Sequence, residues 1–150
     1  MSQPDRPARL TRSDFSTFVP VQTRWHDNDV YGHVNNVVYY TWFDTAVNGL
    51  LIRAGLLDFA QGGTVGLVAE TRCTYFASLK FPQAVEIGLR VTHIGRSSVR
   101  YSLGAFAQGA ESVAAQGAFT HVYVERVSQR PVAIPVATLA FLEKLHENCG

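Results

Sequence analysis

Cysteine is scarce in this sequence. The 150 residues include two, Cys73 and Cys149, and no C-x-x-C pair, so neither a disulfide framework nor a cysteine-based zinc site is supported. No run of roughly 18 apolar residues is present, and residues 1–15 lack the apolar segment of a signal peptide. We therefore expect no membrane span and a cytoplasmic protein.

An excess of charge of either sign is also missing. Thirteen Lys and Arg residues against twelve Asp and Glu residues leave a net charge of +1, which is not the positive surface typical of nucleic-acid-binding proteins. Apolar residues make up 47% and charged residues 17%, which excludes a disordered chain. The length predicts one domain, over residues 17–150. Residues 1–16 are predicted to form a flexible N-terminal tail.

The segment from Val37 to Ala54 is apolar on nearly all sides. Its eighteen residues exceed the usual length of a strand, which favours a helix. Asn35 or Asn36 can cap its start, and Gly55 can cap its end. A helix without a clear polar face has to be covered on most sides. Its two apolar stripes are Tyr39, Phe43, Ala46 and Leu50, and Val38, Trp42, Thr45 and Gly49.

Most of the remaining sequence alternates between apolar and polar residues, as strands do. The segments with this pattern are 18–25, 67–79, 85–92, 98–105 and 112–126. Turn residues at 95–97 and 108–111 predict antiparallel hairpins, and residues 136–146 predict a short closing helix. We therefore expect an α+β protein with an antiparallel five-stranded sheet wrapped around a long central helix.

Residues 26–36 form the polar exception, with two Asp, three Asn, two His and one Gly in eleven positions. An Asp in the loop before a buried helix lies near free backbone N–H groups and the positive end of the helix dipole. Such donors can polarise a carbonyl oxygen during acyl transfer. The spacing of His and Asp here does not match a regular metal site, so we expect no metal and no cofactor.

The loop and the start of the helix resemble the hotdog-fold acyl-CoA thioesterases, and most closely the 4-hydroxybenzoyl-CoA thioesterase branch. The likeness extends over residues 18–135, and Gly-His-Val-Asn-Asn at positions 32–36 is a common variant in this family. The matching positions are Asp29, Gly32, Tyr39, Trp42, Phe43 and Asp44.

The resemblance implies hydrolysis of an acyl-CoA thioester, with Asp29 as nucleophile or general base. It places the oxyanion donor near the backbone N–H of Asn36, and Gly32 allows the backbone to approach closely. His33 would orient Asp29 or bind substrate, or be a loop histidine without a role in the reaction. Asp44 is the alternative carboxylate, because some hotdog enzymes carry theirs on the central helix.

Other residues are predicted to bind substrate or to support the loop. Asn35 and Tyr39 would contact the substrate, although Asn35 also suits a helix cap. Asp27 is predicted to be structural, paired with Arg24 or a loop amide. The phosphates of CoA need cationic or amide donors, and the residues predicted to supply them are Arg96, Arg100 and Arg126.

Two other functions fit the same resemblance. One is a non-catalytic acyl-CoA-binding hotdog module, and the other is a hotdog dehydratase or hydratase, whose His–Asp pair lies in a different motif. Edge strands with unpaired N–H and C=O groups favour association with a second copy. The family likeness implies a homodimer or a dimer of dimers, with the partner's residues 64–72 forming the opposite wall of each site.

Overall fold

The computed structural model describes residues 6–57 and 62–147. Cys149 therefore lies outside the described residues. Two short 3₁₀ turns, Arg12–Asp14 and Trp25–Asp27, accompany the main elements. In chain order these are β1 (Thr17–Gln22), α1 (Asn36–Arg53), β2 (Thr64–Tyr75), β3 (Ala84–Ile94), β4 (Ser98–Ala107), β5 (Ala115–Glu125) and α2 (Val136–Glu147).

The five strands form one sheet in the order β1-β3-β4-β5-β2, and every neighbouring pair is antiparallel. The β3–β4 hairpin closes through the N–H of Gly95, which donates to the carbonyl of Ser98 at 2.8 Å. The turn before β5 holds Gly109 at a φ of 80°, a conformation that glycine adopts without strain. The predicted α+β fold, with an antiparallel five-stranded sheet around a long helix, is confirmed.

Helix α1 packs against the inner face of this sheet. Gly117 on β5 allows the close approach, because a Cβ at that position would come within 2.9 Å of the Phe43 ring. The Asn35 side chain caps the start of α1 by accepting a hydrogen bond from the N–H of Val37 at 3.1 Å. Gly55 follows its end at a φ of 73°. The buried residues of the helix are Tyr39, Trp42, Phe43, Ala46, Val47 and Leu51.

The sequence predicted burial on most sides of α1, but within one chain only one side is covered. Val37 is 61% exposed. Tyr40, Asp44 and Thr45 are also exposed, although Thr45 belonged to a predicted apolar stripe. The physical reason is that a single sheet of five strands covers one face of a helix and leaves the other open.

Helix α2 lies against β3 and the C-terminal part of α1. Phe141 and Leu145 line a small gap together with Leu51 and Leu89, and Leu142 is fully buried. Neither this helix nor α1 is long and apolar enough to cross a membrane, and the same holds for every helix within residues 6–57 and 62–147.

Residues 6–16 pack against the outer face of the sheet, which corrects the predicted tail for this part of the chain. The guanidinium of Arg9 donates to the carbonyl of Val113 at 2.8 Å, and the N–H of Leu10 donates to Oε1 of Gln116 at 2.8 Å. Phe15 is 7% exposed and contacts the Phe106 ring edge-on, with centroids 5.7 Å apart. The sequence interpretation missed this because the segment's few apolar residues follow no period.

An ion pair made by Arg12 also holds residues 6–16 against the sheet. Its guanidinium lies 2.7 Å from a carboxylate oxygen of Glu86 and stacks over the rings of Phe18 and Phe106. The hydrogen bond from Arg12 holds the pKa of Glu86 below its usual range. The ion pair is partly exposed, so most of the segment's stabilisation is expected to come from the packing of Phe15.

The packing of Phe15 predicts that the N-terminal segment stabilises the fold. Phe15→Ala should lower the free energy of unfolding by about 3 kcal/mol, the usual cost of emptying a buried phenylalanine site. The corresponding fall in Tm is about 10 °C, measurable by circular dichroism. Val127→Ala, at an exposed position, should stay within about 0.5 kcal/mol of the wild type. Equal melting temperatures for Phe15→Ala and the wild type would show that the segment contributes nothing.

Candidate active site

The loop that carries Asp29 is anchored by a buried carboxylate. Asp27 is fully buried and accepts hydrogen bonds from the guanidinium of Arg24 at 2.9 and 3.1 Å and from the Arg24 backbone N–H at 2.7 Å. The carbonyl of Asp27 accepts from the N–H of Asn35 at 2.7 Å. This arrangement confirms the predicted structural role of Asp27 and ties the loop to the start of α1.

Asp29 lies in a tight turn that directs its carboxylate. Its Oδ1 accepts a hydrogen bond from the N–H of Tyr31 at 2.8 Å and a longer one from the N–H of His33 at 3.4 Å. Gly32 supplies the left-handed conformation that closes the turn, with a φ of 78°. Within the described part of the chain, the second oxygen, Oδ2, accepts no hydrogen bond. One carboxylate oxygen is therefore used to hold the turn and the other is free to react.

The first turn of α1 presents a free backbone donor. The side chain and the carbonyl of Asn35 accept from the N–H groups of Val37 and Val38. The N–H of Asn36 has no acceptor among the residues that the structure describes, while its carbonyl accepts from the Tyr75 hydroxyl at 2.9 Å. Because the first N–H groups of a helix have no partner within the helix, this donor is available to a ligand.

The carboxylate and this first turn meet at one open cavity of about 370 Å³. It brings together four predicted site residues, Asp29, His33, Asn36 and Tyr39. Gly32 and Asn35 lie beside the cavity and shape the turn and the helix start. The complete lining is Asp29, His33, Val34, Asn36, Tyr39, Tyr75, Phe76, Ala77 and Ser78.

The three predicted phosphate-binding arginines do not line this cavity. Arg96 is exposed in the β3–β4 turn, and Arg126 follows β5 and donates to the carbonyl of Gly62 at 2.9 Å. Arg100 lines a different cavity on the outer face of the sheet. Within one chain, none of the three therefore lies at the Asp29 cavity, and their role as ligands for the CoA phosphates stays a prediction.

The end of β2 and the segment after it contribute residues that the sequence analysis missed. Tyr75 and Ser78 line the Asp29 cavity, and the Tyr75 ring contacts the Tyr39 ring edge-on at 5.1 Å. The alternation of β2 could have placed Tyr75 on the helix side of the sheet. No local signal could have placed it at the start of α1, because that position depends on the register of β2 with β5.

Burial raises the pKa of three groups in or near this cavity, Tyr39, Cys73 and Tyr75. It raises the pKa of Tyr39 to about 12 and that of the Cys73 thiol to about 11. Burial also raises the pKa of Tyr75 above its usual value. These three groups stay protonated at neutral pH, so they can donate hydrogen bonds but cannot serve as ready nucleophiles.

Asp44 lies at a separate cavity of about 350 Å³ between α1 and β2. Its Oδ1 accepts a hydrogen bond from the side chain of Asn48 at 2.9 Å. Buried His121 lies within electrostatic range: burial lowers the pKa of His121, and the charge of Asp44 opposes that shift. The two candidate carboxylates, Asp29 and Asp44, therefore line different cavities.

Neither cavity has the donors of a metal centre. Within residues 6–57 and 62–147, no three or more His, Cys, Asp or Glu side chains come close enough together to hold a metal ion.

Residues 23–142 match the sequence profile described as the thioesterase-like superfamily. The curated relative YsmA of Bacillus subtilis (strain 168), an uncharacterized protein, is 25% identical over 95 residues. That match covers 63% of this chain and 64% of YsmA, so the chain spans less than two thirds of that relative's length.

Crystal structures of other proteins are similar to the whole fold. The PA5185 protein of Pseudomonas aeruginosa strain PAO1 is 52% identical with a TM-score of 0.90, over 93% of this chain and 97% of that one. A thioesterase complexed with coenzyme A and zinc, from Thermus thermophilus, is 30% identical with a TM-score of 0.74. The latter match covers 89% of this chain and 96% of that one.

The raised pKa of Cys73 predicts that its thiol reacts slowly in the native protein. In a Cys149→Ser variant, the native protein should react with an aromatic disulfide reagent at pH 8 about 100-fold or more slowly than the same protein unfolded in guanidinium. The reason is that a pKa of about 11 leaves far less reactive thiolate than the usual value of about 8.5. Equal rates in the two states would contradict the burial of this thiol.

Proposed function

The chain belongs to the thioesterase-like superfamily, and from that premise we propose that it is an acyl-CoA thioesterase that releases a free acid and CoA. The observation that carries the proposal is the single cavity that Asp29 shares with the free N–H of Asn36. A carboxylate with one unengaged oxygen and a free amide donor at the same cavity supply the base or nucleophile and the oxyanion donor that acyl transfer needs.

Two routes use the same residues. In the first, Oδ2 of Asp29 attacks the thioester carbonyl, CoA leaves as the thiolate, and water hydrolyses the resulting anhydride. In the second, Asp29 removes a proton from water and the hydroxide formed attacks the carbonyl directly. CoA then leaves as the thiolate and takes up the proton held by Asp29. In both, the N–H of Asn36 donates to the oxygen on which negative charge develops, and the dipole of α1 adds to its effect.

Other residues around the cavity support these steps. The Asn35 cap and the Tyr75–Asn36 hydrogen bond hold the first turn of α1 in place, so that the donor is oriented before substrate arrives. His33 and Tyr39 would contact the acyl group or the thioester. CoA as the leaving group draws on the Thermus thermophilus relative, whose crystal structure is described as a complex with coenzyme A. Arg96 and Arg126 remain proposed ligands for its phosphates.

We expect Asp29→Asn to lower kcat about 100-fold or more, because the amide can neither attack the carbonyl nor accept a proton. The side chains have the same size, so the melting temperature should change little. The assay measures free CoA released from a panel of acyl-CoAs.

Asp44→Asn is the matched control and should retain most of the activity. Loss of turnover in Asp44→Asn, with Asp29→Asn unaffected, would transfer the role to the helix carboxylate. A wild-type protein that binds acyl-CoA and releases no CoA would instead identify a binding module.

We further propose that the working unit is a homodimer joined at β2. This strand is at the edge of the sheet, and Leu67 and Val68 are 42% and 48% exposed. The uncovered side of α1, with Val37 and Tyr40, lies next to it across the Asp44 cavity. Pairing two β2 edges would cover the apolar residues and the free backbone groups together. The partner's residues 64–72 would then form the opposite wall of the Asp29 cavity.

Light scattering at micromolar concentration should give a mass about twice the 16.5 kDa of the chain, or a multiple of that dimer. Val68→Glu should weaken association and thioesterase activity together, because two like charges would face each other across the two-fold axis. Val136→Glu, at an exposed position outside β2, is the control and should change neither. A monomer with full activity would contradict the shared site.

A further inference from the structure

We propose that the outer face of the sheet carries a second binding site, for a phosphate-bearing small molecule. The site is a cavity of about 630 Å³, in the size range of small-molecule pockets, lined by the guanidinium-bearing residues Arg72, Arg90 and Arg100. It shares no lining residue with the Asp29 cavity. The inference does not depend on the proposed thioesterase activity.

The register of the strands explains why the arginines surround one space. Arg90 on β3 pairs with Ser102 on β4, Ser102 with Ala118 on β5, and Ala118 with Arg72 on β2. This row therefore has an arginine at each end and two small residues between them. Strands lie about 4.8 Å apart, so the two ends are separated by roughly 14 Å, and long side chains can converge above the small residues.

Arg100 occupies the neighbouring row on β4, where it pairs with His93 on one side and Thr120 on the other. It is two residues from Ser102 and so projects from the same face of the sheet. The three arginines thus line this cavity from three different strands. His93 and the hydroxyl-bearing Thr74 and Thr92 also line it.

These positive charges lack partners within the described part of the chain. The two ion pairs there, Arg12–Glu86 and Arg24–Asp27, involve none of the three arginines. Glu70 occupies the row next to Arg72 on β2 and forms no ion pair with it. The Nε atom of Arg90 is buried and has no hydrogen-bond acceptor. A buried donor without an acceptor is costly, and an anion that Nε reached through a small shift of the Arg90 side chain would satisfy it.

The N-terminal segment supplies one wall of this cavity. Pro7, Ala8 and Leu10 line it, and the Gln116 side chain holds them by donating to the carbonyl of Ala8 and accepting from the N–H of Leu10, each at 2.8 Å. Both the oxygen and the nitrogen of the Gln116 side-chain amide therefore bind this wall. The site is therefore a cavity with one wall held in place by hydrogen bonds, and not a flat charged surface.

Phosphate groups fit this arrangement better than a single carboxylate does. A guanidinium offers two parallel donors that match two phosphate oxygens. Three such groups call for a ligand with more than one negative charge, such as a pyrophosphate or a nucleoside diphosphate. The chemistry is shared by two sources: the phosphates of CoA and those of a separate phosphorylated molecule.

Titration calorimetry with inorganic pyrophosphate tests the site directly. The wild type should bind pyrophosphate, and the double variant Arg90→Gln/Arg100→Gln should raise the Kd about tenfold or more. Arg53→Gln removes one positive charge from the exposed end of α1, outside the cavity, and should leave the Kd unchanged. Circular dichroism checks that each variant is folded.

Competition with CoA identifies which phosphate-bearing molecule the site binds. Displacement of bound pyrophosphate by CoA would assign the site to the phosphates of CoA, and failure of CoA to displace it would assign the site to a separate ligand. Absence of pyrophosphate binding by the wild type, or equal binding by the double variant, would overturn the proposal. A changed oligomeric mass in the double variant, without pyrophosphate binding by the wild type, would identify this face as an interface between copies instead.

Discussion

The contact between α1 and the inner face of the sheet is the interaction on which the other features depend. Phe43 lies against Gly117, where a Cβ would clash both with the Phe43 ring and with the backbone carbonyl of Arg72 on β2. This close packing sets the position of the helix axis and with it the position of its first turn. Asn36 and Asp29 can line one cavity because burial fixes the helix along its length.

Charge has a minor part in the core and a larger part at the edges of the fold. Asp27 is a buried carboxylate, and it accepts three hydrogen bonds from Arg24. The hydrogen bonds of Asp27 hold the loop in place, so Oδ2 of Asp29 is not needed for that purpose. On the outer face the pattern is reversed, because Arg72, Arg90 and Arg100 line a cavity without carboxylates to pair with them. The two faces of one sheet thus differ in what they could bind.

Much of the fold could be predicted because its signals are local. Alternation identified the strands, the length of the apolar segment identified α1, and Gly55 marked its end. The motif around Asp29 led to the correct family. The packing of residues 6–16 could not be predicted, because Phe15 and Arg12 find their partners on β3 and β4 more than seventy positions away in sequence. The exposed side of α1 was missed because hydrophobicity shows that a face needs covering, and not whether the same chain covers it.

The sequence by itself determined the elements, their order, the antiparallel hairpins and the placement of Asp29 just before the N-terminus of a helix. These depend on periodicity, turn residues and spacing within a few positions. Only the tertiary structure decided which residues share a cavity. Tyr75 joined Asp29 and Arg100 did not, although both lie on strands with clear alternation. The reason is that a cavity is formed by residues distant in the chain, and the strand register that brings them together is set by the packing of the whole sheet.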